Sequence, residues 1–260
     1  QIMKIIMIGA GNLATSLAVA LTDAGHDILQ VYSRTMQSAQ TLATIAGGAA
    51  VTDISQVRAD ADVYILSVKD DALPVLIPQL CRGREDKLFL HTAGSVSIDV
   101  FQGMARHYGV FYPMQTFSRQ KRVSFEEIPC FIEGSGEEET AAIEAMASQL
   151  SHRVYRLSSE ARKYLHLSAV FACNFVNHCY AISAELLAKH DIPFDVMLPL
   201  IDETAAKVHQ MAPKDAQTGP AVRYDENIIR AQSQLLRNNP LVKDIYDRMS
   251  MNIHRLSEEV

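Results

Sequence analysis

Residues 3–21, MKIIMIGAGNLATSLAVAL, decide how the chain begins to fold. The isoleucine-rich run Lys4–Ile8 reads as a β-strand, and beyond the glycines Leu13, Leu17 and Leu21 recur on one face at helical spacing. Between strand and helix, Gly9, Gly11 and Ala14 spell G-x-G-x-x-A. The first glycine permits the tight turn, the second lets the backbone approach a pyrophosphate, and the alanine lets helix and strand pack closely. The amides of Asn12, Leu13 and Ala14, with the positive end of the helix dipole, would then face the phosphates. The plain alternative is a turn needed only for packing; the strand–turn–helix context favours dinucleotide binding.

The second strand bears on which dinucleotide. Residues 28–35 read ILQVYSRT. About 20 residues past the glycines, where a carboxylate would hold the ribose hydroxyls of NAD, stand Ser33, Arg34 and Thr35. Two hydroxyls and a guanidinium suit a 2′-phosphate, because Arg forms bidentate, charge-assisted bonds to phosphate. NADP(H) is the expected cofactor; the alternative is that Arg34 is ordinary solvated charge.

Of the 260 residues, 48% are hydrophobic and 21% charged, which predicts a soluble, packed chain. A formal net charge of −6 argues against a sequence-independent grip on nucleic acid, which needs clustered Lys and Arg. Cys81, Cys130, Cys173 and Cys179 lack CxxC spacing and zinc-type His partners. No disulfide framework and no metal site is expected, and a reducing cytoplasm fits. The opening QIMKIIMIGAG has no basic region, long apolar core or cleavage site, so it reads as a strand and not a leader. Residues 164–184 contain no Asp, Glu, Lys or Arg, a length that could span a bilayer. His166, Asn174, Asn177 and His178 within them instead predict a soluble buried helix.

Up to about residue 155 the chain alternates short β-branched runs with Ala-rich or amphipathic stretches, the pattern of a parallel sheet covered by helices. Expected strands are 4–8, 28–33, 63–67, 88–91, 109–113, 130–133 and 154–157. Long helices follow, broken near Asp191-Ile192-Pro193, Ala212-Pro213 and Asn238-Asn239-Pro240. A dinucleotide-binding domain over 1–157 and a helical substrate and dimerisation domain over 158–260 are therefore expected.

Ligands of an open parallel sheet lie beyond the carboxyl ends of its strands, so the loops LSVKDDAL, LHTAGSVS and FYPMQTFS carry candidates. Ser67, Val68 and Lys69 should border the cofactor, and Thr92, Ser95, Gln115 and Thr116 can offer hydrogen bonds to nicotinamide or substrate or simply build turns. At about 100° per residue, Lys163, His166, Asn174 and Asn177 fall on one seam of a long helix, opposite Phe171, Phe175, Ile182 and Leu186. Lys163 or His166 is a candidate proton donor and Asn174 a candidate substrate anchor, against a role in hydrogen bonds between domains. Asn177, Thr218 and Arg223 are further substrate candidates, Arg223 for a carboxylate; Thr218 can equally form a turn and Arg223 a solvated surface charge.

IGAGNLA, GVFYPMQTFS, HLSAVFACNFVNH and AQTGPAVRYD resemble the NADP oxidoreductases that join a Rossmann-like domain to a helical C-terminal domain of unknown function. More distantly the chain is similar to pyrroline-5-carboxylate reductase, deazaflavin-dependent NADP reductases, and the 3-hydroxyisobutyrate and 6-phosphogluconate dehydrogenases. The resemblance implies a Rossmann-type doubly wound parallel sheet followed by an all-α C-terminal domain, and a homodimer built through the helices. The hydroxyacid dehydrogenases place a Lys and an Asn four residues apart on the interdomain helix; here Leu167 stands four residues after Lys163, and His166 is the substitute. The expected activity is NADPH-dependent reduction of a small carbonyl or imine compound bearing a carboxylate, such as a 2-oxo acid, held between the domains. The rivals are a non-catalytic NADP(H)-binding sensor and a reductase that passes hydride to a flavin or deazaflavin.

Overall fold

The computed structural model describes residues 2–118 and 123–258. The chain divides into two compact units, Gln1–Asn174 and Phe175–Val260. In the first, strands β1 (Lys4–Ile8), β2 (Asp27–Tyr32), β3 (Ala49–Val51), β4 (Val63–Leu66), β5 (Leu88–His91), β6 (His107–Pro113), β7 (Cys130–Gly134) and β8 (Val154–Arg156) form one sheet. Their order is β3-β2-β1-β4-β5-β6-β7-β8. The interleaved helices are α1 (Asn12–Asp23), α2 (Met36–Ala46), α3 (Leu73–Cys81), α4 (Glu137–Ala147) and α5 (Ser159–Ala169).

The doubly wound sheet of the sequence expectation is present, with one correction. Every neighbouring pair is parallel except β6 and β7, so β7 and β8 run against the other six strands. The described part of the connection between β6 and β7 contains no helix. Without a crossover helix the chain re-enters the sheet from the edge it has just left, which makes the pair antiparallel. The edge strand β3, three residues long, was too short to register in the pattern.

β1 shows why the sheet is covered on both faces. Ile5 and Met7 pack with Ala14, Leu17 and Leu21 of α1, whereas Ile6 and Ile8 pack on the other face with Tyr64, Leu66 and Leu73. All four β1 residues are fully buried, as parallel strands under helices require. Each such aliphatic side chain contributes about 1.5–3 kcal/mol on burial. Glu137, Glu138 and Glu139 occupy the first turn of α4, where they complement the helix dipole.

From Val170 to Phe175 the helix is a π-helix, and α6 (Val176–Ala188) follows. The second unit continues with α7 (Leu198–Lys207), α8 (Pro213–Ala216), α9 (Glu226–Leu235) and α10 (Pro240–Glu258), with no strand among its described residues. The expected breaks coincide with Asp191 at φ 57° and with the prolines that open α8 and α10. No described helix is long and apolar enough to cross a membrane.

Candidate active site

The glycine turn meets its two demands in different ways. Gly9 has φ +109°, and a Cβ there would lie 2.1 Å from the Ser67 carbonyl oxygen, so both backbone conformation and space exclude a side chain. Gly11 has an unremarkable φ of −77°, and a Cβ built on it meets nothing within 4 Å. None of the described residues requires a glycine there; the space beside its backbone fits the close approach of a pyrophosphate. Gly11 caps α1 with no side-chain acceptor, leaving the start of the helix to an anion. Ala14 is fully buried, Leu13 is half-buried, and the Asn12 Nδ2 donates to the Phe117 carbonyl at 3.2 Å, tying the turn to the loop after β6.

At the carboxyl end of β2, the Ser33 amide donates to the Val51 carbonyl at 3.2 Å. The Thr35 hydroxyl caps α2, accepting from the Ser38 amide at 3.4 Å and donating to the Ser38 Oγ at 2.9 Å. Arg34 is exposed, and its guanidinium has no ion-pair partner among the described residues. After β4, the Ser67 amide donates to the Ile8 carbonyl at 2.8 Å, Val68 packs on the core beside Gly9, and Lys69 is exposed.

The loop after β5 is tightly fixed. The His91 Nδ1 accepts from the Ala93 amide at 3.1 Å and its Nε2 lies 3.4 Å from the Ser97 carbonyl. Burial, helped by repulsion from the Arg162 cation, pushes the His91 pKa down to about 3, so the ring is a neutral scaffold element. The Ser95 Oγ donates to Asp70 at 2.5 Å. Gln115 is exposed, and its Oε1 accepts from the Thr116 amide at 2.9 Å.

Beside this loop, Tyr112 at the end of β6 and His166 on α5 form a pair. The Tyr112 Oη lies 3.0 Å from the His166 Nδ1, and the rings meet edge to face at 67°. Gly94 makes the approach possible: a Cβ there would stand 2.5 Å from the His166 Nδ1 and 2.9 Å from the Tyr112 Cζ. One turn before His166, the fully buried Arg162 anchors α5 to the sheet. Its Nη1 donates to the Glu133 Oε2 at 2.7 Å and its Nη2 to the Val96 carbonyl at 2.5 Å. The Ser159 Oγ adds a 2.6 Å bond to the same carboxylate and accepts from the Ile98 amide at 2.9 Å. Burial raises the Tyr112 pKa while the Arg162 cation works in the opposite direction.

Tyr112, Gly94 and Arg162 were not among the expected site residues. Tyr112 and Gly94 lie inside loop phrases already marked as facing ligand, and Arg162 precedes His166 by four residues, which sets both on one helix face. Lys163 is exposed, as is Asn174. The π segment does not keep the angular step on which the seam from Lys163 to Asn177 was projected, so that alignment holds only within α5. Asn177, Thr218 and Arg223 belong to the second unit and are exposed; the Thr218 carbonyl accepts from the Gln217 Nε2 at 3.2 Å.

Residues 4–94 match the family described as NADP oxidoreductase, coenzyme F420-dependent, and residues 128–253 match a domain of unknown function, DUF2520. Over 98% of both chains, the sequence is 54% identical to a putative NADP oxidoreductase from Bacteroides fragilis, with a TM-score of 0.93. The chain belongs to this NADP oxidoreductase family. A Thermotoga maritima protein (22% identity, 98% of this chain and 100% of the other, TM-score 0.79) shares the family's fold. So does an imine reductase from Myxococcus stipitatus in complex with NADP+ (15% identity, 98% and 94%, TM-score 0.70). No curated protein matches the chain. Within the oxidoreductase family frame, the residues that the structure itself brings together are the glycine turn, the end of β2, and the Tyr112–His166 pair at the carboxyl edge of the sheet.

Proposed function

We propose that the protein is an NADPH-dependent reductase of a small C=N or C=O compound carrying a carboxylate. The observation that carries this reading is the hydrogen-bonded Tyr112–His166 pair at the same sheet edge as an uncapped, glycine-lined helix start. Gly9, Gly11, Asn12, Leu13 and Ala14 receive the pyrophosphate, Arg34 with Ser33 and Thr35 receives the 2′-phosphate, and Ser67, Val68 and Lys69 border the cofactor. The bound nicotinamide supplies the hydride. His166 protonates the nitrogen or oxygen that gains the electron pair, with Lys163 as the neighbouring candidate. Ser95, Gln115, Asn174, Asn177, Thr218 and Arg223 are the proposed substrate contacts, Arg223 for the carboxylate.

The test is direct titration with NADPH, then loss of reduced-nicotinamide absorbance against a panel of cyclic imines and 2-oxo acids. Turnover on one class supports the reading; tight NADPH binding with no turnover across the panel overturns it in favour of a cofactor-binding sensor. The F420-dependent description of the family matching residues 4–94 favours a second reading, hydride exchange with a deazaflavin or flavin, and such a compound belongs in the same panel.

We also propose a homodimer through the helical unit. Leu200, Leu235 and Leu241 are 63%, 83% and 79% exposed in the single chain, apolar side chains that a second copy would cover. Light scattering on the purified protein decides between one copy and two.

A further inference from the structure

A neutral imidazole has one donor and one acceptor nitrogen, and its neighbours decide which is which. The His166 Nδ1 faces the Tyr112 Oη at 3.0 Å. Tyr112 is 9% exposed, and its hydroxyl has no other hydrogen-bond partner among the described residues. A buried phenol keeps its proton and needs an acceptor. We propose that Tyr112 donates its O–H to the His166 Nδ1, so that the ring carries its own proton on Nε2, and that Tyr112 replaces that proton during turnover. This rests on the reading of His166 as the proton donor of a reductase.

The surroundings hold the pair in this arrangement. Gly94 presses against both rings, since a Cβ there would overlap the His166 Nδ1 and Cγ and the Tyr112 Cζ. Arg162, locked to Glu133 and the Val96 carbonyl, fixes the helix turn from which His166 projects. The chemistry requires a second proton: a neutral imidazole that gave up its Nε2 proton alone would be left an anion. When the substrate carbon accepts hydride, its π electrons move to the heteroatom, which takes the proton from Nε2. The Nε2–H bond breaks, an N–H bond forms at Nδ1, and the Tyr112 O–H bond breaks. Burial disfavours the resulting phenolate, the buried Arg162 guanidinium, whose Nε has no hydrogen-bond partner among the described residues, offsets part of that cost, and water returns the proton. Tyr112 is thus a positioning residue that acts through His166.

The test reads the tautomer directly, by long-range proton–nitrogen NMR on protein with isotope-labelled histidine in mildly alkaline solution. The His166 signal is assigned by its loss in His166→Gln. The expected result is a proton on Nε2 in the wild type, with the Nε2–H to Nδ1–H ratio lowered on the order of fivefold in Tyr112→Phe, about the worth of one neutral hydrogen bond. Gly94→Ala, which displaces the His166 ring from Tyr112, lowers the ratio in the same direction. A proton on Nδ1 in the wild type, or a ratio unchanged by Tyr112→Phe, overturns the proposal. These spectra need neither cofactor nor substrate, so a protein that turned over nothing on the panel would refute the reductase reading while leaving the tautomer result standing.

Discussion

Removing the Glu133 carboxylate should strand a buried cation. The Arg162 side chain is 1% exposed and Glu133 20%, with a 2.7 Å contact between them. Breaking such a pair from one side costs about 3–5 kcal/mol, because the remaining charge has lost its partner and cannot reach water. Glu133 retains some solvent, and Arg162 keeps its bond to the Val96 carbonyl, which favours the low end. Glu133→Ala is therefore expected to lose about 3 kcal/mol of unfolding free energy by denaturant titration. At about 2–4 °C per kcal/mol for a domain of this size, Tm falls by roughly 6–12 °C. The double variant Glu133→Leu/Arg162→Met removes both charges and should recover most of the loss, since apolar replacement of a whole buried pair is often neutral. A Glu133→Ala loss below about 1 kcal/mol, or a double variant no more stable than the single one, would refute the assignment of Arg162 as a buried, carboxylate-dependent anchor of α5.

Arg34→Ala should lower the preference for NADPH over NADH by about 10- to 100-fold, the worth of charge-assisted bonds to a phosphate, read from paired titrations; an unchanged ratio removes Arg34 from the site. Gly9→Ala should abolish cofactor binding and destabilise the fold, because its Cβ would press on the Ser67 backbone; normal NADPH affinity in that variant would contradict the turn geometry. His91 binds its proton far more weakly when folded than the ordinary imidazole does, so the unfolded chain takes up the extra proton and stability falls as pH drops from about 6.5 toward 3. His91→Phe should flatten that slope by up to about 1.4 kcal/mol per pH unit in denaturant titrations across the window. Burial pushes the Cys81 and Cys130 thiols up to about 12, so brief alkylation followed by mass spectrometry should leave both unmodified, with any labelling confined to Cys173 and Cys179.

The sheet was legible because its central strands are buried on both faces. Lys4–Ile8 and Leu88–His91 have the expected bounds, and the remaining expected strands differ at one or both ends by a few residues. The glycine turn was legible because conformation leaves a mark on composition: Gly9 alone satisfies φ +109° against Ser67. The reversal of β7 was not, since direction within a sheet is set by the path of the connection and leaves no periodic trace. Nor was the π segment, which changes helical phase without a proline or glycine to announce it. Arg162 escaped notice for a related reason. A charged residue beside Glu160 and Lys163 reads as surface, and only the tertiary path that brings Glu133 to it shows it to be core.

The reversed strands have a consequence for which end of a helix starts at the carboxyl rim of the sheet. β8 runs toward the amino edge of the sheet, so α5 starts away from the carboxyl edge and travels back to it, arriving at Tyr112 and Gly94 with its second turn. Had the last two strands followed the direction of the first six, α5 would begin at the carboxyl edge and offer backbone amides there, as α1 does. One change of strand direction thus gives the two ends of the sheet's rim different currencies: dipole and amide protons over β1, and a titratable side chain over β5 and β6.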